Sequence, residues 1–212
     1  MKNLIQSILL FALFIGSSAF GQNTADDLLK KVVDKTRAYK NLKIDFAYTM
    51  RNDKAGINET KNGVLYIKGD AYKILLQGQE VISDGKTVWT YLEDSQEVMV
   101  SNSGDSDEAM TPSAMLTSYH KDYKATFVEE KLNVAKGLKT IELKPNSGKK
   151  FAKMQLGIHE SKLQLMNLSI YDNGGNVFTY DLSKMTTDQS LSVDFFQFNP
   201  KNHPGVEVVD MR

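Results

Sequence analysis

Apolar positions recur along this chain with two different periods. From Thr24 to Tyr39 the spacing is helical. Leu28, Leu29, Val32, Val33, Thr36 and Tyr39 fall on one stripe, and Lys30, Lys31, Asp34 and Lys35 lie off it. Thr24 and Asp27 stand at capping-box spacing, where a hydroxyl and a carboxylate satisfy the open N–H groups of a first turn. After Tyr39 the period drops to two. Leu42, Ile44, Phe46 and Tyr48 share a face, as do Tyr72, Ile74 and Leu76 in a later segment. Met166, Leu168 and Ile170, then Phe178, Tyr180 and Leu182, then Phe196 and Phe198 continue the alternation.

Strands are predicted near 42–50, 62–68, 72–76 and 97–101, and then near 122–131, 137–145, 151–159, 162–171, 175–185 and 191–198. Between them, Val81-Ile82-Ser83-Asp84-Gly85-Lys86-Thr87-Val88-Trp89-Thr90-Tyr91 reads as a hairpin. Asp-Gly at its centre predicts a type I′ turn, whose two middle residues both need positive φ. The arm after the turn places Trp89 and Tyr91 on one face, a pairing suited to the wall of an apolar interior.

About ten or eleven strands with regular turn signals predict a mainly β protein with few helices. A single sheet that wide cannot fill its interior with its own side chains. It must collapse into a sandwich, enclose a cavity or be plugged by the helices; the last two together make an unclosed antiparallel β-barrel covered by a helical lid around an apolar cavity. A second short helix is predicted at Thr111-Pro112-Ser113-Ala114-Met115-Leu116, with Thr111 as its cap and Met115 and Leu116 as its buried side. The preceding stretch, Ser101 to Glu108, is polar and acidic and reads as a surface loop.

Residues 1–21 have the form of a secretion leader. Lys2 is followed by the largely apolar run Leu4 to Phe14 and by small residues ending at Gly21. That run is too short to span a bilayer. Cleavage after Gly21 leaves 22–212 as a single domain. Removing Lys2 with the leader leaves one acidic charge in excess, which argues against a nucleic-acid partner. The chain has no cysteine, so thiol catalysis, thiolate metal ligands and a lipid anchor on cysteine are all excluded.

Candidate chemistry is sparse. His120, His159 and His203 form no metal-binding spacing, and the acidic stretch at Asp105, Asp107 and Glu108 lacks the calcium-loop pattern. No nucleophile elbow, P-loop or dinucleotide fingerprint is present. The reading is therefore of a protein with no catalytic residues, no metal and no cofactor, whose function lies in what its sheet encloses.

Several landmarks, in order and spacing, resemble the LolA family, the periplasmic carriers that take lipoproteins to the outer membrane of Gram-negative bacteria. They are the N-terminal helix running into Tyr39-Lys40-Asn41-Leu42-Lys43-Ile44-Asp45-Phe46, then Gly63-Val64-Leu65-Tyr66-Ile67-Lys68. The run from Ile82 to Tyr91, Thr111-Pro112 with Met115-Leu116, and the ending Phe196-Gln197-Phe198-Asn199-Pro200 with Pro204-Gly205-Val206-Glu207-Val208 complete them. The resemblance implies a monomeric, periplasmic, non-enzymatic carrier. Its cargo would be acylated lipoproteins, released by an inner-membrane ABC transporter complex and passed to an outer-membrane acceptor. A carrier of another lipid, such as a phospholipid or a lipid-linked pigment, is the alternative with the same fold. Combined with the alternation, the resemblance implies a lipid-binding lining of Tyr72, Ile74, Leu76, Trp89, Tyr91, Met115, Leu116, Met166, Leu168, Ile170, Phe178 and Tyr180. One departure stands out. Well-known members carry an arginine, thought to hold the lid closed, where this chain has Gly69.

Overall fold

The helix and the strands form largely where the two periods place them. A computed structural model describes residues 24–104, 123–128, 137–146 and 151–212. The predicted leader, the Thr111–Leu116 helix with its Met115 and Leu116, and His120 lie outside the described residues.

Helix α1 spans Ala25–Arg37. Thr24 Oγ1 accepts from the Asp27 N–H at 3.1 Å, and the Asp27 carboxylate accepts from the Thr24 N–H at 3.1 Å. Two donors that the first turn leaves open are thereby satisfied. The Thr24 hydroxyl also donates to the Asp27 carboxylate, and this bond is the main reason its pKa is held below the ordinary value. Thr24→Ala is expected to cost about 1 kcal/mol. In urea unfolding the midpoint should fall while the slope stays constant; an unmoved midpoint would show that the cap contributes nothing.

Among the described residues twelve strands follow: β1 (Leu42–Asn52), β2 (Ile57–Lys68), β3 (Ala71–Leu76), β4 (Gln79–Ser83), β5 (Thr87–Leu92), β6 (Glu97–Asn102), β7 (Tyr123–Val128), β8 (Leu138–Pro145), β9 (Phe151–His159), β10 (Gln164–Asp172), β11 (Val177–Thr187) and β12 (Glu207–Asp210). They form one sheet in the order β12-β6-β5-β4-β3-β2-β1-β11-β10-β9-β8-β7. The two edges, β12 and β7, do not pair with each other, so the sheet is unclosed. Every pairing is antiparallel except β12 with β6, which is parallel.

Three local expectations are corrected. The hairpin between β4 and β5 exists, but its turn is not type I′, because only Gly85 has positive φ, at +92°. The Asp84 carboxylate instead accepts from the N–H groups of Lys86 and Thr87, both at 2.8 Å, and so shapes the turn itself. The segment 191–198 is not a strand. Val193–Phe196 forms a 3-10 turn, and Pro200–Asn202 forms another. Aromatic packing across the sheet, rather than ladder pairing, decides its course: the Phe195 ring meets Tyr66 edge-on with centroids 4.9 Å apart. Finally, β2 starts five residues before the predicted 62, because β1 pairs with it all the way back to Ile57. Its polar start, Asn58-Glu59-Thr60-Lys61, carries no alternation from which to read a strand.

Gly69 sits with Asp70 in the two-residue turn joining β2 to β3, at φ +59°. An arginine there would have room for its Cβ but would adopt a left-handed conformation, costing about 1–2 kcal/mol. The turn geometry thus accounts for glycine where the resemblance leads one to expect arginine.

Candidate functional site: an apolar face of the sheet

Register assigns side chains to the two faces of the sheet. Leu42, Ile44, Phe46, Tyr48 and Met50 on β1 pair with Ile67, Leu65, Gly63, Lys61 and Glu59 on β2. Continuing outward, Gly63, Leu65 and Ile67 pair with Leu76, Ile74 and Tyr72 on β3. In the other direction, Phe46, Tyr48 and Met50 pair with Leu182, Tyr180 and Phe178 on β11, and Tyr180 and Phe178 pair with Leu168 and Ile170 on β10. All of these lie on one face, here called inner, because α1 packs on it.

The inner face is sealed in two places. At the β7–β10 end, Leu28, Leu29 and Val32 of α1 are buried with Tyr123, Ile141, Leu143, Met154, Leu156, Ile158 and Leu168. Near the start of β1, Leu42, Ile44 and Ile67 are buried with Tyr39, Leu182 and Met185 against them. Between these clusters runs a group of four rings from two adjacent strands. Tyr48 and Tyr180 have centroids 5.2 Å apart, Phe46 and Tyr180 5.9 Å, and Tyr48 stacks on Phe178 at 6.5 Å. Phe46 is buried, whereas Tyr48, Phe178, Tyr180, Ile74 and Leu76 are half-buried. Burial pushes the Tyr180 phenol up to about 12, with the neighbouring Tyr48 adding to the shift. The Tyr48 phenol is raised by the same desolvation and, secondarily, by Glu59.

Gly63 makes this arrangement possible. A Cβ there would lie 2.5 Å from Phe46 Cζ, 2.8 Å from Leu76 Cδ2 and 2.9 Å from the Leu75 carbonyl oxygen. The Phe46 ring therefore occupies the space a side chain at this position needs.

The structure brings together seven of the twelve expected lining residues on the inner face: Tyr72, Ile74, Leu76, Leu168, Ile170, Phe178 and Tyr180. Leu168 is enclosed within the α1 cluster, with Ile170 and Tyr180 packed against it. Tyr72 is buried beside Ser83, and burial raises its phenol pKa, partly offset by the hydrogen bond with Ser83. Met166 lies where the β9–β10 register shifts between Leu165 and Asn167. Phe46, Tyr48 and Gly63 were absent from the expected lining, although the alternation with Leu42 and Ile44 carried the signal for the two rings.

Trp89 and Tyr91 are placed on the other face. Trp89 pairs with Ile82, which pairs with Lys73, the neighbour of Tyr72 and Ile74 that points oppositely. On that outer face the Tyr91 ring meets His203 at 4.3 Å and Phe198 at 5.9 Å. The ring of Phe198 stacks on His203 at 4.8 Å, and the His203 imidazole lies 4.0 Å from the Glu80 carboxylate. Lys73 pairs with Glu80 and sits 5.3 Å over the Phe195 ring. Tyr91 thus docks the segment before β12 and does not share a wall with Tyr72, Ile74 and Leu76.

A depression of about 580 Å³ also opens across β1, β2, β3 and β11. Asp45, Ala47, Asn62, Val64 and Asp181 line it from the outer face, while Phe46, Gly63, Leu76 and Leu182 belong to the inner face, so it touches the ring group at Phe46. Among the described residues, no group of three or more His, Cys, Asp or Glu side chains is placed to hold a metal.

Comparisons with known proteins agree with this architecture. Residues 37–199 match the family described as outer membrane lipoprotein carrier protein LolA. The chain is 28% identical over 222 residues to an outer-membrane lipoprotein carrier protein of Shewanella baltica, covering 100% of this chain and 98% of that one. It is 25% identical over 207 residues to the protein of the same description from Legionella pneumophila, covering 95% and 96%. Among solved structures, an uncharacterized conserved protein from Thermus thermophilus is similar in fold, with a TM-score of 0.58 at 14% identity over 88% of this chain and 98% of that one. With an unclosed sheet, helix α1 packed on its apolar face, and a family match across most of its length, this chain belongs to the LolA family of outer membrane lipoprotein carrier proteins.

Proposed function

We propose that this protein is a periplasmic carrier. It takes up the acyl chains of lipoproteins released at the inner membrane and delivers them to the outer membrane. An ABC transporter complex supplies the cargo, and an outer-membrane acceptor receives it. The carrier forms no covalent bond to its cargo. The observation that carries this reading is the half-buried ring group of Tyr48, Phe178 and Tyr180 with Ile74 and Leu76, lying between two sealed clusters.

The energetics suit transport. Each CH₂ removed from water contributes about 0.8 kcal/mol, so fully burying two or three acyl chains would hold cargo too tightly to hand on. A half-buried face is already partly dry, so occupying it gains less. If admitting the chains also requires parting contacts that cover the face, the cost of that opening lowers the net affinity and permits transfer.

The test is to express the full chain with its leader in a Gram-negative host, purify it from the periplasm and identify bound molecules by native mass spectrometry. Acylated lipoproteins are the expected load. Phospholipid or a lipid-linked pigment in their place would redirect the reading to a carrier of another lipid. A protein that emerges empty and takes up no lipoprotein from inner-membrane vesicles would refute it.

A further inference from the structure

Polarity changes along β1 on the inner face. Leu42, Ile44 and Phe46 are each less than a tenth exposed, whereas Tyr48 and Met50 are half-buried. Their partners on β2 change in step: Ile67, Leu65 and Gly63 lie beside the buried part, and the exposed Lys61 and Glu59 lie beside Tyr48 and Met50. The apolar floor therefore ends in a charged rim, and Tyr48 and Tyr180, a directly cross-strand pair, stand on the boundary.

The two phenols are the polar groups of the ring cluster. Neither hydroxyl has a hydrogen-bond partner among the described residues, although other hydroxyls on the sheet pair locally, as Thr49 does with Thr60 and Ser169 with Thr179. No buried side-chain oxygen or nitrogen of the described residues lacks a partner, so these two unpaired oxygens are not sealed off from solvent. Desolvation keeps both groups protonated at any physiological pH. They are thus permanent O–H donors, set side by side where an apolar surface meets a charged one.

We infer that Tyr48 and Tyr180 donate hydrogen bonds to the ester carbonyls that join the acyl chains to the glyceryl group of the cargo, fixing the depth at which the chains seat. The chains then lie over Phe46, Ile74 and Leu76, and the peptide portion leaves past Glu59 and Lys61. A hydrocarbon chain slides freely along an apolar surface. A carbonyl at the boundary supplies the acceptor that both phenols lack and sets the register of the chain. This rests on the carrier reading and identifies which polar group of the cargo that site recognises.

The test compares two synthetic lipopeptides of equal chain length, one carrying two ester-linked chains on its glyceryl-cysteine and the other the same chains through ether links. Binding to the purified protein is measured by isothermal titration calorimetry. The wild-type protein is expected to prefer the ester by about thirtyfold, the effect of two net hydrogen bonds of about 1 kcal/mol each. Tyr180→Phe and Tyr48→Phe, which retain the ring, should each reduce that preference, and the double variant should bind the two lipopeptides equally. Equal binding of both by the wild-type protein would overturn the inference while leaving the carrier reading intact. So would an ester preference that survives in the double variant. Failure of the wild-type protein to bind either lipopeptide would overturn both.

Discussion

Gly63→Val is expected to destabilise the protein by about 3 kcal/mol, at the upper end of what overpacking costs. The reason is space rather than backbone freedom. The Phe46 ring and the Leu76 side chain stand within 3 Å of where a Cβ would be, and so does the Leu75 carbonyl oxygen, which belongs to the β3 backbone and cannot rotate away. Phe46 itself is 6% exposed and forms part of the ring group with Tyr180. Displacing it should disturb β1, β2 and β11 together. Chemical denaturation of Gly63→Ala and Gly63→Val should show two graded falls in midpoint. A valine variant as stable as the wild type would mean that the ring does not lie over Gly63.

The second large effect concerns loading. Leu76→Asp is expected to reduce the lipoprotein carried per folded molecule by at least about tenfold. A carboxylate on this face must be desolvated unpaired whenever chains cover it, which costs more than the roughly 1.4 kcal/mol that tenfold represents. Trp89→Ala should act differently. Trp89 lies on the outer face, beside Ile82 and Val100 in the ladder, and both of these are buried. Its loss should lower stability while leaving the load per folded molecule as it was. Both variants can be read by native mass spectrometry after periplasmic expression, alongside thermal unfolding. A Trp89→Ala protein that emerges empty, beside a fully loaded Leu76→Asp protein, would reverse the assignment of faces on which the proposed function rests.

Much of this protein was legible in one dimension. The stripe of Leu28, Leu29, Val32 and Val33 and the Thr24–Asp27 box determined α1, because a helix needs only neighbours within four residues to declare its cap and its buried side. Alternation determined most of the strands and grouped Tyr72 with Ile74 and Leu76, and Phe178 with Tyr180, since a period of two places such residues on one side by geometry alone. A wide, mainly β sheet followed from the number of strands; that it stays unclosed depends on its edges, β12 and β7, not meeting.

Tertiary structure decided the rest. Alternation states which residues share a face but not which face points inward. That depends on pairing between strands distant in sequence, and one residue of offset exchanges the two faces. Trp89 and Tyr91 alternate as cleanly as Tyr72 and Ile74, yet the β3–β4–β5 register sends them outward, against a segment that includes Phe198 and His203. The same segment looked like a strand because Phe196 and Phe198 alternate. Its rings pack across the sheet instead, and the short β12 after it finds β6 about a hundred residues away in parallel pairing, for which local sequence has no signal. Gly63 is the plainest case. In the sequence it is a glycine within a strand; only the fold shows that Phe46, seventeen residues earlier, occupies the volume its side chain would fill.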